Sequence, residues 1–276
     1  MARVAVRWMA LGAALLAVGS VAHADETADG LPKLTYRTAY VVGRNTLYLG
    51  LLAFEYGFTD RLEIGSDPPS WAARTVIPVL IPNLHVMETI LDQGPVTFSV
   101  RLAGYWAQLQ THDGSSGSLV ATPLSLFGSL RLWDRIWLHG EGTFVYVRAL
   151  GSGDYTELHF GGGIAGITVQ AGAMLECRLT RIFSLTATVR YQVYTGDLAF
   201  EGSGSIDPYT TAQVNGRAME VVSHPWQAIG GVALLWKHIH LVLGAGYGYY
   251  FLPGPDIAYP KRTIVPDGNF AVVIPL

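Results

Sequence analysis

The sequence predicts an all-β fold, a closed antiparallel up-and-down transmembrane β-barrel of about 12 strands, with about 10 as the alternative. Three observations carry this. The 276-residue chain is 50% hydrophobic and only 14% charged, yet past its first residues it holds no run of ~18 apolar residues that could span a membrane as a helix. Apolar and polar residues alternate with period two over long stretches. Short and long connections between those stretches also alternate.

The exception at the start of the chain has another explanation. The apolar run Val4 to Val21 follows Arg3 and Arg7 and ends in Ala22-His23-Ala24. A basic start, an apolar middle and an A-x-A exit describe a secretory signal peptide, residues 1–24, cut before Asp25. Its removal takes away two arginines and no acid, so the formal charge moves from −3 to −5. That balance argues against nucleic acid as a partner. Residues 25–32 then read as a short periplasmic segment, and 33–276 as a single barrel domain. The lone Cys177 leaves no disulfide framework; it falls on an apolar face as a small lipid-facing hydrophobe.

An exported chain this apolar, without spanning helices, points to a closed barrel, because lipid tolerates no unpaired backbone groups. A secreted sandwich or soluble barrel is the competing class. In 96–106 one face carries Val96, Phe98, Val100, Leu102, Gly104 and Trp106, and the other Thr97, Ser99, Arg101, Ala103 and Tyr105. In 182–194 Phe183, Leu185, Ala187, Val189, Tyr191 and Val193 oppose Ser184, Thr186, Thr188, Arg190 and Gln192. Weaker versions of the pattern cover 136–148, 167–179 and 239–251. A sandwich would show the same alternation, so the connections decide. The stretch LAFEYGFTDRLEIGSD (52–67) pinches at Phe58-Thr59-Asp60-Arg61, and similar pinches recur at 92–94, 133–135, 179–181 and 236–238. Between them lie 66–71, 111–118, 151–156, 195–221 and 253–267, longer and polar or rich in Gly and Pro. A membrane barrel has tight periplasmic turns and long outer loops, whereas a sandwich has no reason to segregate loop length by end. Trp133 and Trp236 beside short turns, with Trp106 and Tyr247 towards long-loop ends, suit two interfacial aromatic belts.

Strands are expected near 46–57, 61–67, 80–91, 95–109, 119–133, 135–149, 166–179, 182–195, 224–236, 238–252 and 268–276. If the chain ends on the periplasmic side, one more crossing is needed, and Lys33 to Val42 supplies it, with Tyr36, Thr38, Tyr40 and Val42 on one face and Gly43-Arg44-Asn45 as a tight outer turn. On this pattern the chain resembles a Gram-negative outer-membrane β-barrel over nearly all of 33–276. The phrase Tyr56-Gly57-Phe58-Thr59-Asp60-Arg61-Leu62-Glu63-Ile64-Gly65 is similar to hairpins of outer-membrane transport barrels. The resemblance implies residence in the outer membrane, lipid as surroundings and the barrel-insertion machinery as a partner. One departure is the end of the chain, Phe270 to Leu276, which lacks the terminal aromatic such barrels commonly carry and places Pro275 in the last strand.

Chemistry is sparse. Arg101, Arg131, His139, Glu141, Glu176, Arg178 and Arg190 fall on inward faces. They line a narrow aqueous path, or they form an internal salt-bridge network, since charges inside a membrane pair or meet water in either role. His238-x-His240 offers two ligands without a third, too few for a metal centre. His139-x-Glu141 beside Ser129 suggests a hydrolase dyad, but a membrane phospholipase would want such groups at the lipid-facing surface, where they are scarce. Gly161-Gly162-Gly163 opens no helix and makes no phosphate loop. The expectation is therefore a non-enzymatic barrel without cofactor or metal, passing small solutes passively. A filled structural or surface-binding barrel is the alternative, and a membrane hydrolase the third reading. The long segment 195–221 either narrows the pore, binds a ligand outside, or serves as a surface loop.

Overall fold

The computed structural model describes residues 33–69, 82–110, 116–155, 158–195, 199–206, 210–217, 224–251 and 258–276. Fourteen strands form one sheet: β1 (Thr46–Gly50), β2 (Phe54–Gly57), β3 (Leu62–Ser66), β4 (Asn83–Gln93), β5 (Val96–Gln110), β6 (Ser116–Trp133), β7 (Ile136–Tyr155), β8 (Leu158–Arg178), β9 (Phe183–Thr195), β10 (Ala199–Ile206), β11 (Thr210–Arg217), β12 (Trp226–Leu235), β13 (Ile239–Phe251) and β14 (Ala258–Pro275). Every pairing is antiparallel. β8 pairs β9, and β9 reaches β1 through β12, β13 and β14, so 12 strands close into a barrel. The remaining two, β10 and β11, form a hairpin laid on the outer half of β8, Leu158 to Ala165. The expected barrel class and strand number both stand.

The period-two pattern decides which residues face where. Leu102, Leu126, Phe144, Leu175, Leu185, Val189, Leu243 and Phe270 are exposed on the outer surface, where lipid covers them. Ser99, Tyr105, Trp137, Thr143, Glu176, Arg190 and Gln227 are buried inside. Trp133 and Trp236 stand exposed at the rim of short turns. Trp226 and Tyr247 meet edge-on, their centroids 6.3 Å apart, towards the other end of their strands. Cys177 is half-buried between outward neighbours. The short connections hold as tight turns; at one of them Gly94 takes φ 57°, a left-handed conformation glycine adopts without penalty.

The number twelve is reached by a different route from the one the sequence suggested. Lys33–Val42 is not a strand. Its backbone turns at Tyr36 and Arg37, the latter with φ 57°, and Thr38 through Val42 are buried without alternation. The reason is topological: β1 pairs β14 on one side (Thr46↔Pro275 to Gly50↔Ala271) and β2 on the other, so no free edge remains for an earlier segment. The missing crossing comes from 46–57, which splits into two strands. Gly50 N–H donates to Ala53 O at 2.8 Å, and Leu51 N–H to Phe270 O at 2.9 Å, closing a tight corner between them. Gly43-Arg44-Asn45 does turn, but at the short-turn rim, where Asn45 N–H bonds Gly57 O and Leu276 N–H bonds Asn45 O.

Two further differences concern the wall. Residues 151–155, expected in a loop, extend β7 to 20 residues, and β8 reaches 21. Conversely β1, β2 and β3 have 5, 4 and 5 residues, where a tilted crossing strand takes about 9–11. Among the described residues the wall is lowest there.

Candidate functional site

The lumen is the candidate site, and residues 33–42 occupy it. Leu34 packs with Met174, Ala233, Leu235 and Val242. Ala39 and Val41 pack with Met87 and Phe127, and Val42 with Tyr48, Ala271 and Val273. One segment thus touches strands all around the barrel. Four of its polar groups bond to the wall, while Thr38 Oγ1 donates to Leu34 O within the segment. Tyr36 Oη donates to Asp267 Oδ1 at 2.6 Å. Ala39 N–H donates to Ser129 Oγ at 3.0 Å, and Ala39 O accepts from Ser99 Oγ. Val42 N–H donates to Glu63 Oε2 at 2.6 Å. A non-strand segment at membrane depth is permitted because it lies inside protein, away from lipid.

Beneath this plug lies the first charged network. Ser129 Oγ is 2.8 Å from His139 Nδ1, and His139 Nε2 is 3.3 Å from Glu176 Oε2. A carboxylate only accepts, so Nε2 carries a proton, and in the neutral ring Nδ1 accepts from the Ser129 hydroxyl. Glu176 Oε1 takes two more donors, Arg178 Nε and Ser184 Oγ, each at 2.8 Å. The Arg178 guanidinium lies over the Trp137 ring at 4.3 Å, and Arg131 approaches the same ring at 5.6 Å. This Ser–His–Glu order is that of a hydrolytic relay. Here Ser129 and His139 are 1% exposed, Glu176 is fully buried, and the serine oxygen already accepts from the plug. As arranged, the relay tethers Ala39, and the His139 ring meets Tyr40 edge-on.

A second network joins Glu141 on β7 to Arg190 Nε on β9. Arg190 also donates to Gln170 Oε1 at 3.2 Å and lies 4.9 Å over the Phe251 ring. The third lies on β2 to β5 at the low part of the wall. Arg101 donates to both oxygens of Asp67, at 3.0 and 3.1 Å, and Tyr105 Oη donates to Asp67 Oδ2. His85 presents Nδ1 to Arg101 at 3.0 Å and stands 3.8 Å from Asp67 and from Glu55.

Of the seven residues singled out in the sequence, six enter these networks: Arg101 in the third, Glu141 and Arg190 in the second, His139, Glu176 and Arg178 in the first. Arg131 sits at the rim, 3.4 Å from the fully exposed Asp134. Sequence reasoning passed over Glu55, Glu63, Asp67, His85 and Asp267. Period two in 62–66 puts Glu63 and Gly65 on one face, a signal that was available. The His238-x-His240 pair divides: His240 points inward edge-on to Tyr48, while His238 is exposed and faces Val273 O at 3.1 Å.

No family model matches the chain, and no curated protein matches it. Among solved structures it is similar to the translocator domain of autotransporter NalP from Neisseria meningitidis (TM-score 0.46, 11% identity, 83% of this chain and 83% of that one). It is also similar to outer-membrane expressed OmpT of Vibrio cholerae (0.33, 13%, 80% and 62%) and to CdiB from Acinetobacter baumannii (0.28, 9%, 83% and 59%). The chain spans less than two thirds of the latter two.

Proposed function

We propose that this outer-membrane-type β-barrel is a passive channel for small solutes whose lumen is closed by its own residues 33–42, and that it has no enzymatic role. The observation that carries the reading is the nature of the filling. The lumen is blocked by a chain segment joined to the wall through one turn at 43–45, while the wall behind that segment is lined by Ser, Thr, Gln, Arg and Glu. Side chains of a permanently solid barrel would come from the wall itself. A removable segment over a polar lining suits an intermittent aqueous path. Residence in the outer membrane, export through a cleaved leader and delivery by the insertion machinery belong to the same reading, supported by the lipid-facing apolar belt and the residues 1–24 pattern.

The test is planar-bilayer conductance of the folded full chain beside a variant lacking residues 33–42. The expected result is a quiet full-length protein with rare openings and a steady ohmic current for the deletion. A deletion variant that stays folded, shown by heat-dependent mobility in SDS, yet carries no current would overturn the channel reading. That outcome favours the filled structural barrel, for which the buried Ser129–His139–Glu176–Arg178 network is the specific support.

A further inference from the structure

The aromatic belt at the long-loop end carries a charge. Trp226 opens β12 and Trp236 follows its last residue, so two outward, exposed rings stand 10 residues apart. In a strand tilted near 40° that length rises about 25 Å, the height of a lipid-facing band. The two rings mark its edges. Gln227 stands opposite Gly248, which brings Trp226 and Tyr249 to one level, and Tyr249 stands opposite Arg262 on β14. The Arg262 guanidinium lies 5.9 Å from the centroid of the Trp226 ring and 5.4 Å from that of Tyr249. On the same face of β14, towards the short-turn end, Ile264 and Phe270 are exposed, whereas Val265, Asn269 and Ala271 are buried inside. Arg262 therefore points out of the barrel, at the boundary between lipid tails and headgroups.

A charge on that surface pairs or meets polar surroundings. The inward arginines are paired: Arg101 with Asp67, Arg178 with Glu176 and Arg190 with Glu141. Arg262 has no carboxylate among the described residues. The two rings hold its guanidinium in place through their faces, and its Nε donates to Tyr249 Oη at 3.3 Å. Both Nη groups are left without an acceptor among the described residues. An oriented guanidinium with two unused donor groups matches a phosphate, which accepts two parallel N–H bonds. Below it, Tyr247 and Ile264 stand opposite each other and are 53% and 74% exposed. That apolar floor suits the chains of a lipid and offers nothing to a free anion.

We propose that Arg262, held between Trp226 and Tyr249, binds the anionic phosphate of a lipid headgroup in the leaflet at the long-loop end, with an acyl chain lying over Tyr247 and Ile264. The site belongs to the outer surface of the wall, and it holds whether or not the lumen conducts.

The experiment uses the folded full chain in detergent, with lipid retention followed by native mass spectrometry. Phosphatidylglycerol, diacylglycerol of the same chains and soluble glycerol phosphate are the probes. Phosphatidylglycerol should be retained at an about tenfold lower concentration than diacylglycerol, as two charge-assisted bonds imply. Arg262→Gln should abolish that preference, and Arg262→Lys, which keeps the charge without the fork, should reduce it. Arg181→Gln, an exposed arginine at a short turn, should leave it unchanged. Hydroxyl-radical footprinting of the unaltered protein locates the lipid independently of any variant: phosphatidylglycerol should protect Trp226 and Tyr249, and diacylglycerol should not. Equal retention of the two lipids, an intact preference in folded Arg262→Gln, or no protection of Trp226 would overturn the site. Glycerol phosphate that protects Trp226 as well as phosphatidylglycerol does would overturn the lipid as its occupant.

Discussion

Glu141 on β7 and Arg190 on β9 form an ion pair across the intervening strand β8, and they meet above Gly172. Glu141 lies opposite Gly172 in one ladder and Arg190 opposite the same glycine in the next. A Cβ at Gly172 would come within 2.6 Å of Glu141 Cγ and 2.7 Å of its Oε1. The first prediction follows. Gly172→Ala should destabilise the barrel by about 1–3 kcal/mol through overpacking, and Glu141→Gln by about 3–5 kcal/mol, since it takes the facing carboxylate away from a buried guanidinium. Urea unfolding in detergent measures both. If Glu141→Gln and Arg190→Gln are strictly additive, the two side chains are not coupled.

Ser129 holds the plug at Ala39 N–H and the relay at His139. Ser129→Ala removes an acceptor from a buried N–H and a donor from an imidazole, a loss of about 1–3 kcal/mol for each orphaned group. Under the proposed closure, bilayer recordings of this variant should show more frequent openings than the unaltered protein. Thr143→Ala, at a lumen hydroxyl that bonds Ser125 at 3.0 Å, is the comparison and should leave opening frequency unchanged.

Asn269 on β14 joins the barrel's closing pair of strands. Its Nδ2 donates to Tyr48 Oη at 2.8 Å, and its Oδ1 accepts from Leu52 N–H at 3.2 Å. β1 meets β14 over only its 5 residues, so few backbone bonds compensate for a lost side chain. Asn269→Ala should destabilise by about 1–3 kcal/mol and speed unfolding in a urea-jump experiment. An unchanged unfolding rate would mean the barrel does not open at this junction.

Val189 is 55% exposed on the lipid side of β9. Val189→Arg should cost about 2–4 kcal/mol near the bilayer centre and less towards either rim. Reversible folding into vesicles checks this. A cost near zero would show that lipid does not cover that face.

The wall was legible in the sequence because lipid outside and polar groups inside impose period two, and Leu185 to Val193 against Ser184 to Gln192 obey it residue by residue. The ends of β7 and β8 were not, because Gly151 and Ser152 look like turn residues while pairing as strand beyond the apolar zone. Lys33–Val42 misled for a different reason. Tyr36, Thr38, Tyr40 and Val42 happen to alternate, but a segment enclosed on all sides has no face to distinguish, and only β1's occupied edges exclude it from the sheet. The inward arginines could be placed on the lumen side, yet their partners could not be named. Glu141 finds Arg190 through the stagger of two ladders, and the same geometry brings Glu55 and His85 together over Gly65.

The attachment of the plug bears on how a closed state is maintained. The turn at 43–45 ties Val42 to Thr46, so residues 33–42 act as a ligand that never leaves the molecule, held at an effective concentration on the order of millimolar. Dilution cannot dislodge such a ligand. Under the proposed closure, the fraction of open barrels is set by the contacts of residues 33–42 with the wall, polar at Ser99, Ser129, Glu63 and Asp267 and apolar at Leu34, Ala39, Val41 and Val42, and is the same at any protein concentration. On the proposed channel reading, a solute or ion that opens the lumen must outcompete a permanently present rival, and affinity for the open state is what it needs to do so.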